Sequence, residues 1–148
     1  MKISSISELE KITNKIKKIL SPGDSVFLYG EIGVGKTTFS RILINNFESE
    51  NNLKKSEVLS PTFNIVFEYE INKLKIKHFD LYRLKNTKDI ENIGLFENID
   101  STITLIEWPE LINKKPLNRI DLFFEYNKDY NERSLVIKTN GRLKSHEF

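Results

Sequence analysis

The chain has 148 residues, enough for one domain with apolar packing on both faces of a sheet. Its charges nearly balance, 23 basic residues against 21 acidic for a net charge of +2, so bulk charge makes no case for nucleic-acid binding. It holds no cysteine, which excludes disulfides and thiolate metal sites, and with no cleavable signal pattern or membrane-length apolar run the cytoplasm is the expected location.

Ser7-Glu8-Leu9-Glu10 fits a capping box, with Ser7 as N-cap. Leu9, Ile12, Ile16, Ile19 and Leu20 follow at helical spacing, which predicts an amphipathic helix to about Leu20. Ser21-Pro22-Gly23-Asp24 is a turn signal. Ser25–Tyr29 reads as an apolar strand, and the apolar spacing after Lys36 predicts a helix ending near Phe47. Residues 48–57 are polar and read as an exposed loop, and Pro61 then fixes a bend. Alternation from Phe63 to Ile71 and from Leu74 to Phe79, separated by Asn72-Lys73, predicts an antiparallel hairpin. Thr87 to Phe96 reads as a short helix broken at Gly94. Ile103–Ile106 is continuously apolar, the pattern of a strand buried on both faces. Arg119–Tyr126 and Arg133–Thr139 read as a second antiparallel pair, and the polar tail after about Gly141 is expected to fray. The whole chain, residues 1–148, reads as a single α/β domain of the P-loop NTPase type. Its layers are three, around a mixed parallel and antiparallel central sheet.

Gly30-Glu31-Ile32-Gly33-Val34-Gly35-Lys36-Thr37 fits G-x-x-x-x-G-K-[ST] and lies between the predicted strand and helix, as a phosphate cradle requires. The glycines let backbone N–H groups turn inward toward phosphate oxygens, and the helix N-terminus adds partial positive charge. In this pattern Lys36 reaches the β- and γ-phosphates of ATP, and the Thr37 hydroxyl holds Mg²⁺. Glu31, Ile32, Gly33, Val34, Gly35 and Thr38 complete the expected nucleotide contacts. A metal here also needs a carboxylate, and open α/β sheets place ligands at strand C-termini. Glu107 ends the buried run, in the manner of a Walker B acid, and Asp80 ends the second hairpin strand. Lys36, Asp80 and Glu107 are the expected catalytic residues; both carboxylates are expected near the metal or the attacking water, and which of the two contacts Mg²⁺ beside Thr37 is left open. Thr62 could add a hydroxyl if its proline-bent loop closes over the nucleotide. Trp108 is expected in the core, and His78 is expected to be packed and hydrogen-bonded rather than catalytic.

The P-loop with Thr38, Ser60-Pro61-Thr62-Phe63, His78-Phe79-Asp80-Leu81-Tyr82-Arg83-Leu84 and Ile106-Glu107-Trp108-Pro109-Glu110 follow one another in an order and spacing that resembles the TsaE (YjeE) family. The resemblance runs from the first helix to the last strand. It implies a compact P-loop fold, MgATP binding and slow hydrolysis in the synthesis of tRNA N6-threonylcarbamoyladenosine at position 37. It also implies partnership with the TsaB and TsaD proteins, which transfer the threonylcarbamoyl group. By the resemblance Thr37 and Glu107 serve the metal, Asp80 lies at the nucleotide, Arg133, opening the last strand, is a nucleotide contact, and the Ser-Pro-Thr-Phe loop resembles a switch I. Direct contact with tRNA is left open. The alternatives are a small P-loop kinase, for which no arginine-rich lid is visible among the five arginines, and a GTPase-like switch, for which Asn86-Thr87-Lys88-Asp89 has its lysine in the wrong place.

Overall fold

A computed structural model describes all residues, 1–148. The strands are β1 (Lys2–Ile3), β2 (Ser25–Tyr29), β3 (Val66–Ile71), β4 (Leu74–Asp80), β5 (Thr102–Glu107), β6 (Arg119–Tyr126) and β7 (Arg133–Asn140). They form one seven-stranded sheet in the order β1-β7-β6-β2-β5-β4-β3. The P-loop strand β2 is central and pairs in parallel with β5 and β6, and β4 runs parallel to β5. The β3–β4 hairpin and the β6–β7 pair are antiparallel, so the sheet is mixed as predicted. Every residue of β5 is buried, which is the environment its unbroken apolar run requires.

The α-helices are α1 (Ile6–Ile19), α2 (Lys36–Glu50) and α3 (Thr87–Asn92). Helices α1 and α2 cover one face, where Leu9, Ile16, Phe39 and Leu43 pack on Val26, Leu28, Ile103 and Leu105. The other face is thinner. There Phe27, Phe79 and Ile106 pack with Leu81, Leu95 and Ile112 from α3's surroundings and the turn after β5. Side chains alternate along a strand, so Ile76, His78 and Asp80 share a face of β4, as do Ile103, Leu105 and Glu107 of β5. That face is the one under α2. The strand register sets Leu28 and Asp80 on either side of Glu107.

Several boundaries differ from the sequence reading, each for an identifiable reason. Helix α1 is capped by Ser5, whose hydroxyl accepts from the Glu8 N–H at 3.2 Å, while the Glu8 carboxylate accepts from the Ser4 N–H at 2.6 Å. Ser5-x-x-Glu8 and Ser7-x-x-Glu10 both have capping-box spacing, and the upstream pair is the one used. Helix α2 runs past Phe47 because Glu48 is buried and accepts from the Ser56 N–H at 2.9 Å, folding the following loop back on the helix. Strand β3 starts at Val66 rather than Phe63, because Ile65 has φ 69°, a left-handed value that is costly for a β-branched residue. The short β1 was not evident in the sequence; it pairs with β7 at Arg133 and Ser134.

The expected fraying at about Gly141 is also corrected. Gly141–Leu143 form a 3₁₀ turn, Leu143 is fully buried, and the Arg142 guanidinium donates to Asp24, to Ser21 and, at 3.0 Å, to the Ile19 carbonyl. The turn therefore ties the end of β7 to the segment that leads into β2. Leu143→Ala should lower unfolding free energy by about 2–5 kcal/mol. His146→Ala, on the exposed tail, should stay within about 0.5 kcal/mol of wild type in urea denaturation. Equal, negligible effects would contradict the docked turn.

Candidate functional site

The loop between β2 and α2 turns on three glycines with left-handed φ, 142° at Gly30, 77° at Gly33 and 127° at Gly35. Gly30 is constrained most, since a Cβ there would lie 2.6 Å from the Phe124 carbonyl oxygen. Gly35 caps α2 without a side-chain hydrogen bond. The first N–H groups of the helix therefore face outward into the loop's concavity, where the positive end of the helix also points.

Lys36 is only 4% exposed. Its ammonium donates to the carbonyls of Gly30 and Glu31 and sits 3.6 Å from the centroid of the Trp108 ring. These contacts offset part of the cost of burying a charge. Burial still holds the ammonium below the usual lysine range, opposed by the carboxylates of Glu107, Glu110 and Asp80. Trp108, expected in the core, packs against the edge of the smaller apolar cluster rather than within it. It is partly exposed, has φ 59°, and turns its ring over the lysine.

Glu107, at the end of β5, is 2% exposed. The Thr37 hydroxyl lies 2.9 Å from its Oε1 and 3.1 Å from its Oε2. His78 Nε2 lies 2.6 Å from Oε2. Asp80, one strand further out, is 3% exposed. Its Oδ2 accepts from the hydroxyls of Ser60 at 2.6 Å and Thr62 at 3.0 Å, and its Oδ1 accepts from the Tyr82 N–H at 2.9 Å. Ser60 and Thr62 are also 2.9 Å from each other. The proline-bent loop is therefore pinned to the sheet through one carboxylate, next to the strained Ile65.

These groups line a cleft of about 250 Å³ that contains Lys36, Thr37, Thr62, Asp80, Glu107 and Trp108. A second cavity of about 250 Å³ shares Gly33 with it and is lined by Val34, Gly35, Thr38 and Arg133 together with β1 and the start of α1. The structure thus gathers Lys36, Thr37, Asp80 and Glu107 in one place and sets Thr38 and Arg133 in the other. Arg133 Nε is buried without a partner. Glu31 contributes its carbonyl, and the Ile32 side chain is 67% exposed at the cleft's rim. Ser60 was missed by sequence reasoning, although its position two residues before Thr62 was a usable signal. The Trp108 contact with Lys36 had no local signal.

The donor set suits Mg²⁺ held jointly with a phosphate. Mg²⁺ binds through one or two carboxylates, substrate oxygens and water rather than an all-protein cage. A hydroxyl and a carboxylate in contact beside a glycine cradle match that requirement, and no group of three or more His, Cys, Asp or Glu side chains forms a cage elsewhere.

A family model described as "Threonylcarbamoyl adenosine biosynthesis protein TsaE" matches residues 3–135. Among similar proteins, the tRNA threonylcarbamoyladenosine biosynthesis protein TsaE of Rickettsia conorii is 36% identical over 98% of this chain and 81% of its own length. The TsaE of Haemophilus influenzae is 37% identical over 78% of this chain and 71% of its own. The TsaE of Bacillus subtilis is 31% identical, covering 90% and 81%. The crystal structure of Bacillus subtilis YdiB superposes with a TM-score of 0.73 at 25% identity, covering 97% of this chain and 86% of that one. Model, relatives and fold agree with the motif order around the cleft: this chain belongs to the TsaE family.

Proposed function

We propose that this chain binds MgATP and hydrolyses it slowly, as the ATPase of tRNA N6-threonylcarbamoyladenosine (t6A37) synthesis, acting with the TsaB–TsaD complex in the cytoplasm and not itself transferring the threonylcarbamoyl group. The observation that carries the reading is the contact of the Thr37 hydroxyl with the buried Glu107 carboxylate at the mouth of the glycine loop. No helix is long and apolar enough to cross a membrane.

The backbone N–H groups of the loop and the α2 N-terminus bind the phosphates, and Lys36 exchanges its two carbonyl contacts for phosphate oxygens. Thr37 and Glu107 would hold the metal, and Mg²⁺ there would supply positive charge that stabilises the developing charge on the phosphates. The nucleoside occupies the second cavity beside Thr38, where the unpartnered Arg133 Nε gains an acceptor. Asp80 orients the attacking water and, through Ser60 and Thr62, reports the phosphate state to the loop 51–65. A partner reads that change in the loop's exposed side chains, such as Phe63, which is 82% exposed.

Calorimetric titration tests the binding half. Lys36→Ala should weaken MgATP binding about 10- to 100-fold, the worth of a charge-assisted contact. Equal affinity would remove the P-loop role. Asp80→Asn should keep most of the binding while lowering hydrolysis by about 100-fold or more; unchanged turnover would exclude Asp80 from the chemistry. Sedimentation with purified TsaB–TsaD should show an ATP-dependent complex, and no association at micromolar concentrations would defeat the pathway assignment.

A further inference from the structure

His78 lies on β4, one strand in from the sheet edge, and is fully buried. Its Nε2 is 2.6 Å from Glu107 Oε2, and its Nδ1 has no hydrogen-bond partner. A carboxylate only accepts, so the ring nitrogen facing it carries the proton. With Nε2–H directed at the carboxylate, Nδ1 is left without a partner. Proteins rarely keep a buried polar atom unsatisfied, because it typically costs about 1–3 kcal/mol. An apolar residue at this position would avoid that cost. The contact with Glu107 is what the histidine supplies in return.

The geometry points to His78 as a positioning residue for the metal site, a role that rests on the MgATP reading above. Its Nε2–H engages Oε2 from below, within the sheet. That fixes the rotation of the Glu107 carboxylate, whose two oxygens lie 2.9 Å (Oε1) and 3.1 Å (Oε2) from the Thr37 hydroxyl. The strand register makes the contact possible, since His78 stands opposite Leu105 and Asp80 opposite Glu107 in the parallel β4–β5 pair. Without the ring donor, Glu107 would keep its charge but lose the orientation that sets its carboxylate against the Thr37 hydroxyl. Outer hydrogen bonds of this kind tune metal affinity by about 10- to 100-fold when removed.

His78→Leu removes the donor at similar volume, and His78→Gln retains an N–H donor of comparable reach. Two measurements apply. The ¹⁵N chemical shifts of the wild-type ring in the absence of nucleotide should show a proton on Nε2. Titration of Mg²⁺ into ATP-saturated protein, followed by Trp108 fluorescence, should need at least about tenfold more Mg²⁺ for His78→Leu than for wild type. His78→Gln should fall within about threefold of wild type, and ATP affinity in excess EDTA should be the same for all three. An Nδ1–H tautomer, or an unchanged Mg²⁺ requirement in His78→Leu, would overturn the assignment. If His78→Leu does not fold, the tautomer and the His78→Gln titration decide it, a large Mg²⁺ shift in His78→Gln counting against. Failure of wild type itself to bind MgATP would instead defeat the proposed function.

Discussion

The carboxylate of Glu107 is buried at the C-terminal end of a strand that is itself buried on both faces. A charge in that position is tolerated only when donors surround it, and removing one partner from such a group typically costs about 3–5 kcal/mol. Here the donors come from separate elements, Thr37 from the first turn of α2 and His78 from β4. The need to satisfy one acid therefore locks the P-loop helix, β5 and β4 into a single relative position. The glycine loop is held between them, with Gly30 too close to β6 to admit a side chain.

Around that fixed point the remaining groups are held in two ways. Lys36 is held by two carbonyls and an aromatic face within the loop's own framework. Asp80 is held differently. Two of its donors are the Ser60 and Thr62 hydroxyls of the loop 51–65, which bends at Pro61 and ends at the left-handed Ile65. Hydroxyl–carboxylate bonds are easily exchanged for phosphate or water, whereas the sheet register is not. Under the proposed MgATP reading, this loop is the element whose contacts would change with the phosphate state, as a nucleotide-dependent switch requires.

The parts of the fold legible in the sequence were those whose signals are local. The P-loop glycines, the continuous run of β5, the β3–β4 hairpin at Asn72-Lys73 and the β6–β7 pair each carry their own pattern, and each is found within a few residues of its expected place. Thr37, Asp80 and Glu107 were legible for the same reason, since each stands at an element boundary. What depended on long-range pairing was not. The contact of His78 with Glu107 needs the β4–β5 register, and the docking of Gly141–Leu143 needs Asp24, far away in the chain. The overlap of two capping boxes at Ser5 and Ser7 could not be resolved from spacing alone, and nothing in the alternation from Phe63 announced that Ile65 would leave the strand conformation.

The most direct test of the site is a crystal structure with Mg²⁺ and a non-hydrolysable ATP analogue. The expected result has the phosphates in the Gly33–Thr37 loop, the metal at Thr37 with Glu107 supporting it, and Lys36 released from the Gly30 carbonyl toward phosphate. The nucleoside would lie beside Thr38 and Arg133. Phosphates bound elsewhere, or a metal that leaves both Thr37 and Glu107 uninvolved, would contradict the assignment of this cleft as a MgATP site.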